Sequence, residues 1–347
     1  MKKVISLILS LVMIASLFAG CGASGTSSTP STPSTSAPVE TASAGSAETE
    51  SASYTVAIVQ QLDHSSLDEI RVAIAAQLNA LAAEKGITIN IEEYNGQNDA
   101  SMLNQIGTQV VSDGVDAIIP IATLAAQSMV TAAEGTDIPI IYAAISDPEG
   151  AGLTGLSNVT GVSDALNTAF ILDMMLAAQP DVQTVGLLYS NSEINSATPI
   201  AEAKAYLEEK GIEYLEKTGN TSGEIVEAAA SLVGRVDAVF TPTDNVVMAT
   251  EAAVAELLNA DGIAHYTGAD SFVTAGAFTT CGVNYTELGT KAADMAVDAL
   301  LGGLIPEFHV MDGGIITVNT ETAEAIGVDY SVFSTMANTV VEVTTAE

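Results

Sequence analysis

The side chains able to do chemistry in this sequence recur at the ends of short apolar runs. In the first half they are Gln60-Gln61-Leu62-Asp63-His64-Ser65, Tyr94-Asn95, Ala122-Thr123-Leu124 and Ser146-Asp147. In the second half they are Tyr189-Ser190-Asn191-Ser192, Thr218-Gly219-Asn220, Thr243-Asp244-Asn245 and Asp270-Ser271. The set holds hydroxyl, amide, carboxyl, imidazole and phenol groups, and no Lys or Arg. Phosphorylated ligands, nucleotides and polyanions call for Arg or Lys pairing, so the set argues against them. A carboxylate needs no basic side chain where a helix begins, because first-turn N–H groups are free there and the dipole end is positive. Thr123 stands where an N-cap belongs, and its hydroxyl can address a carboxylate. An ammonium needs an acid, and Asp244 and Asp270 stand at matching junctions of the second half. A zwitterionic amino acid satisfies both ends.

The candidate ligand contacts are therefore Gln61, His64, Ser65, Ala122, Thr123, Leu124, Ser146, Asp147, Tyr189, Asn191, Thr243, Asp244, Asn245 and Asp270. Tyr189, Tyr285 and Phe272 are candidate aromatic walls. Several have a structural alternative. Asp244-Asn245 before an apolar helical run also reads as a plain N-cap. Asp147 before Pro148 also starts a turn. His64 also fits a solvent-facing loop, and Tyr285 also fits packing. Catalysis has little support: there is no G-x-S-x-G elbow and no H-E-x-x-H pair, and His64, His265 and His309 are widely separated. "DHSSLDE" (63–69) reads as a polar loop and helix start rather than a metal site. No catalytic residue, metal or cofactor is expected.

These residues need a frame to hold them. "YTVAIV" (54–59), "ITINIEEY" (87–94), "VDAIIPI" (115–121) and "IPIIYAA" (138–144) read as buried strands. Helical patterns over 67–86, 99–114 and 124–135 separate them. Short apolar strands alternating with amphipathic helices predict a parallel sheet covered on both faces. The series then recurs. "QTVGLLY" (183–189), "EEKGIEYLE" (208–216), "RVDAVFTPTDN" (235–245) and "GIAHYTGADS" (262–271) match the first four units in order, at an offset of about 120 to 130 residues. The fold class expected is α/β, with two doubly wound parallel-sheet lobes. Ligands of such sheets bind beyond the carboxyl ends of the strands, which is why the strand-end residues were singled out. A helix over 283–306 and a strand and short helix over 313–328 have no counterpart in the first repeat.

The amino terminus has a different character. Lys2 and Lys3 precede an apolar run over 4–18 and the small residues Ala19 and Gly20. That is the pattern of a signal peptide, too short for a stable membrane span. Leu17-Phe18-Ala19-Gly20-Cys21 resembles a bacterial lipobox, with Phe18 bulkier than usual there. The resemblance implies cleavage before Cys21 and lipidation of its thiol. Residues 21–53 are almost all Ser, Thr, Ala, Gly, Pro and Glu and are expected to form a flexible tether. The chain carries 9 basic and 43 acidic residues, a net charge of −34 that becomes −36 without Lys2 and Lys3. So acidic a chain repels nucleic acid and anionic lipid surfaces. Cys281, the other of two cysteines, has no intrachain partner once Cys21 carries lipid, and reads as a buried small hydrophobe.

Residues 54–330 resemble the type I periplasmic binding proteins, and within them the lipoprotein receptors of tryptophan/tyrosine ABC importers. The resemblance is carried by "VDAIIPIATLAAQ" (115–127), "IYAAISDPEGAGL" (141–153), "NVTGVSD" (158–164), "PTDN" (242–245) and "GVNYTELGTKAADMAVDALLGG" (282–303). It implies lobes joined by three hinge crossings, near 161–164, 282–285 and 308–311, with a ligand enclosed in the interlobe cleft. The expected organisation is a leader (1–20), a tether (21–53), a first lobe (54–163 with 284–308), a second lobe (164–283 with 309–334) and a tail (335–347). It further implies an extracytoplasmic receptor that binds an aromatic or apolar amino acid and delivers it to an ABC permease and ATPase. Such a receptor would be membrane-attached through Cys21. Two other readings stay open: a receptor for another neutral solute, such as a sugar or nucleoside, and a sensor presenting its ligand to a signalling partner. An extracellular hydrolase would require turnover of a bound compound.

Overall fold

The computed structural model describes residues 51–346. The leader, Cys21 with its expected lipid, and the tether up to residue 50 lie outside the described residues.

The first lobe opens with β1 (Ser53–Gln60), α1 (Ser65–Lys85), β2 (Thr88–Asn95), α2 (Ala100–Asp113), β3 (Ala117–Ile121), α3 (Thr123–Ala132), β4 (Ile140–Ala143) and β5 (Val159–Ser163). Then come α4 (Thr168–Ala178), β6 (Thr184–Tyr189), α5 (Ala197–Lys210), β7 (Glu213–Thr218), α6 (Ser222–Ala230), β8 (Ala238–Thr241), α7 (Asn245–Met248), α8 (Glu251–Ala260), β9 (Ala264–Thr267), α9 (Asp270–Thr274) and β10 (Thr279–Gly282). The chain ends through α10 (Tyr285–Leu300), β11 (His309–Val310), β12 (Ile315–Asn319), α11 (Thr320–Ile326) and β13 (Thr339–Val343).

The first sheet has the order β11-β5-β4-β3-β1-β2, all parallel. The second has the order β13-β12-β10-β9-β8-β6-β7, with β12 antiparallel to β10 and β13 parallel to β12. Strands β2-β1-β3-β4-β5 and β7-β6-β8-β9-β10 share one order. The fold is thus two doubly wound α/β lobes.

Alternation explains why the strands read as unbroken apolar runs. Val56 and Ile58 of β1 join one cluster with α1 and α10, while Ala57 and Val59 join another with α2 and α3. Both faces of β1 are covered, so residues 56–59 are apolar on each. Helices α1 and α10 lie close because Gly289 offers no side chain: a β-carbon there would meet Ile70 O at 2.6 Å.

The backbone passes between the sheets three times, over 164–167, 283–284 and 311–314. The first and third passages fall later than the resemblance implied, because residues 161–163 belong to β5 and His309 and Val310 still pair with it. Segment 335–347, read from sequence as a tail, contains β13, which extends the second sheet. None of its side chains is buried, so it carries no core-strand signal. Among the described residues, no helix is long and apolar enough to cross a membrane.

Candidate ligand-binding site

Strand ends from both lobes converge on one cavity. The first lobe contributes His64, Ser66 and Leu67 at the start of α1, Ala122 and Thr123 after β3, Ala144 and Ser146 after β4, Asp164 after β5, and Tyr285 at the start of α10. The second lobe contributes Asn195 before α5, Thr243, Asp244, Asn245 and Met248 around α7, and Ala269, Ser271 and Phe272 around α9. The space between these walls is about 400 Å³, part of it open to solvent.

Five side-chain hydrogen bonds close the seam. Ser66 Oγ donates to Asp270 Oδ1 at 3.1 Å. The hydroxyls of Ser146 and Thr243 are 2.8 Å apart. Gln61 Nε2 donates to Glu193 Oε1 at 3.2 Å, and His64 Nε2 lies 3.3 Å from Asn245 Oδ1. Thr198 Oγ1 donates to Asp147 Oδ2 at 2.6 Å.

Of the sequence candidates, His64, Ala122, Thr123, Ser146, Thr243, Asp244 and Asn245 line the cavity. Seven others do not. Gln61 is buried behind the wall, where its Oε1 accepts from Leu124 N at 3.0 Å and fixes the start of α3. That bond also occupies the Leu124 amide. Ser65 faces solvent, and the next residue, Ser66, turns inward because α1 begins two residues earlier than its apolar pattern suggests. Asp147 bonds Gly150 N within its turn and Thr198 across the seam. Tyr189 and Asn191 reach toward the edge strand β7 instead, bonding Glu216 and Thr218. Asp270 sits beside the cavity behind Ser66.

Two roles differ from the sequence reading. Thr123 is the first helical residue of α3, and Ala122 is its N-cap, at φ 74° and ψ 163°. Asp244 is the N-cap of α7, accepting from Val246 N and Val247 N at 3.0 Å. Its other oxygen accepts from Ser190 N and Ser196 Oγ at 2.7 Å. With four donors inside its own lobe, Asp244 holds the wall together and has no oxygen left for a ligand. Sequence reasoning missed Asn195 and Met248 as lining residues. The first lies well beyond the end of β6, and the second belongs to a helix of one turn, so neither sits at a strand end. Asp164 follows β5 directly and was reachable by the strand-end rule.

The cavity is acidic. Burial raises the carboxyl pKa values of Asp164, Asp244 and Asp270. Burial, with the charge of Asp244 second, pushes Glu193 up to about 7. Asp164 accepts from Ser146 Oγ at 3.0 Å and faces the Tyr285 hydroxyl at 3.5 Å. No Lys or Arg lines the cavity. Burial holds the His64 imidazole below its ordinary pKa, hence neutral. Neither α1 nor α3 has a cap bond from its own N-cap side chain, so first-turn N–H groups other than Leu124 N are left for a ligand. His265 is elsewhere: buried in β9, it bonds Glu251 and Thr241, each at 2.8 Å. Among the described residues, no group of three or more His, Cys, Asp or Glu is placed to hold a metal ion.

This geometry has relatives. The chain is 31% identical over 333 residues to a tyrosine-binding protein of Clostridioides difficile, covering 94% of this chain and 92% of that one. The structure of an ABC domain in complex with L-Trp from Streptococcus pneumonia is 30% identical, covers 84% of this chain and all of that one, and aligns with a TM-score of 0.77. The ligand-free, open structure of a substrate binding protein with adhesive properties from Clostridium difficile has the same identity and coverage but a TM-score of 0.65. The hydrogen bonds across the seam hold the lobes closed here. Residues 55–340 match the family described as ABC transporter substrate binding protein, and the chain belongs to that family of non-enzymatic transport receptors.

Proposed function

We propose that the cavity binds an aromatic amino acid as a zwitterion, in a receptor tethered by lipid on Cys21 outside the cytoplasmic membrane. The observation that carries the reading is buried acid at the wall with no basic partner, together with first-turn amides of α1 and α3 that no N-cap side chain occupies. A buried carboxylate without a counter-charge is costly, and a ligand ammonium offsets that cost. Asp164 supplies the acid side at the wall, with Asp270 adding negative charge from behind Ser66, because Asp244 is saturated. First-turn amides of α1 and α3 supply the carboxylate side. Leu67, Met248 and Phe272 offer apolar surface to a ring. The tyrosine-binding and L-Trp-bound relatives support the choice of side chain. Closure around the ligand presents both lobes to a permease, so binding energy goes into selecting a conformation.

Calorimetry with L-tyrosine, L-tryptophan and their N-acetyl derivatives tests this. The free amino acids bind; N-acetylation, which removes the ammonium, weakens binding at least about ten-fold, as expected when a buried charged hydrogen bond is lost. Asp164→Asn weakens the free amino acids in the same way. Equal affinity for acetylated and free forms would sink the zwitterion reading. The anchor is tested separately: Cys21→Ser releases the protein from the membrane fraction into the medium. Retention in that fraction would show that lipid on Cys21 is not what holds it.

A further inference from the structure

The cavity wall holds two buried polar atoms that meet no hydrogen-bond partner among the described residues, His64 Nδ1 and Ser271 Oγ. The first has a fixed character, set by a chain of bonds across the seam. Leu124 N–H donates to Gln61 Oε1, so the amide nitrogen of Gln61 must face the other way, where it donates to Glu193 Oε1. The second oxygen of Glu193 accepts from Asn245 Nδ2 at 2.8 Å. An amide with its nitrogen toward Glu193 turns its oxygen toward His64, and Asn245 Oδ1 lies 3.3 Å from His64 Nε2. With Glu193 ionised, above its pKa of about 7, Nε2 then carries the ring proton, since two acceptors cannot bond each other. A neutral imidazole protonated at Nε2 leaves Nδ1 as a bare acceptor. His64 and Gln61 belong to one lobe, Glu193 and Asn245 to the other, so the relay exists only when the lobes are closed.

We infer that His64 is a specificity-determining residue: on closure its Nδ1 becomes a fixed acceptor that selects aromatic amino acids carrying a donor on the ring edge, a phenol O–H or an indole N–H. Glu193 and Asn245 are positioning residues that set the tautomer. The inference rests on the proposed amino-acid reading of the same cavity. A site built to accept a hydrogen bond rejects an isostere that cannot donate one, because the acceptor is then left buried and unpaired.

Calorimetry with L-tyrosine, L-tryptophan and L-phenylalanine, on the wild type and His64→Leu, decides the matter. The wild type binds tyrosine or tryptophan at least about ten-fold more tightly than phenylalanine. Preference for tyrosine identifies the phenol as the donor read, and preference for tryptophan the indole. His64→Leu brings that ratio close to one. A wild type without preference, or a ratio that survives in His64→Leu, overturns the inference and leaves the amino-acid reading intact. Uniform weakening of all three ligands, as for an ammonium contact, overturns it too. A wild type that binds none of the three ends the amino-acid reading and this inference with it. Imidazole 15N spectra of the tyrosine-saturated protein give a second readout that a merely structural role would not move, and one independent of whether His64→Leu folds. The wild type shows Nδ1 without a proton, and Asn245→Leu loses that single tautomer; a proton on wild-type Nδ1 overturns the inference.

Discussion

Ala122 shows how backbone and site constrain each other. Its φ of 74° with ψ 163° lies in a region that almost only glycine occupies. Ala144, at φ 57°, is a second positive-φ alanine on the same wall. Both follow a strand of the first sheet and begin the turn into the cavity. The unusual dihedral turns the start of α3 so that Leu124 N–H meets Gln61 and the Thr123 side chain meets the cavity. Strain of this kind costs about 1–3 kcal/mol, whereas glycine's extra freedom in the unfolded chain costs about 0.5–1 kcal/mol. Ala122→Gly is therefore expected to raise the melting temperature, and Ala122→Val to lower it, with denaturant midpoints as the check. A drop in stability for Ala122→Gly would show that the β-carbon's packing at 4% exposure outweighs its strain.

At the scale of elements, legibility followed periodicity. The strands of both sheets that end at the cavity are largely apolar, and that signal survives in a single sequence, as does the recurrence of the unit at about 120 to 130 residues. Directions within a loop do not survive. Tyr189 and Asn191 stand at a strand end as Thr243 does, yet they turn to β7, because β6 neighbours the edge strand and its loop leans that way. Ser65 and Ser66 differ by one helical step of about 100°, and only the true start of α1 tells which faces inward. Strand β13 was illegible because it lies at the outer edge of its sheet and buries none of its side chains. Glu193, deep in the seam, was missed because nothing in sequence distinguishes it from a solvated glutamate. Its role arises only where the two lobes meet.

At the scale of the whole molecule, the buried acids make stability and binding respond oppositely to pH. Asp164, Glu193, Asp244, Glu251 and Asp270 all have raised carboxyl pKa values, with burial the first cause in each. A carboxyl with a folded pKa above its unfolded value, about 3.9 for Asp or 4.3 for Glu, takes its proton earlier in the folded state. Stability then rises as pH falls from about 7, the folded value of Glu193, toward those unfolded values. Self-repulsion of the net −34 eases in the same direction. His64 acts oppositely: its folded pKa lies below its unfolded one, so it lowers stability as pH drops through about 6.5. Five carboxyls outweigh one imidazole, and the ligand-free protein is expected to melt at a higher temperature at pH 5.5 than at pH 7.5. The ammonium of an amino acid, however, needs ionised acids at the wall. The rise in melting temperature that saturating tyrosine produces by mass action is therefore expected to shrink at pH 5.5. Thermal scans with and without tyrosine at the two pH values separate the effects. A ligand increment unchanged between them would mean that no buried carboxylate meets the ammonium, and a ligand-free protein that melts lower at pH 5.5 would mean that protonating the seam loosens it more than the removed charge repulsion tightens it.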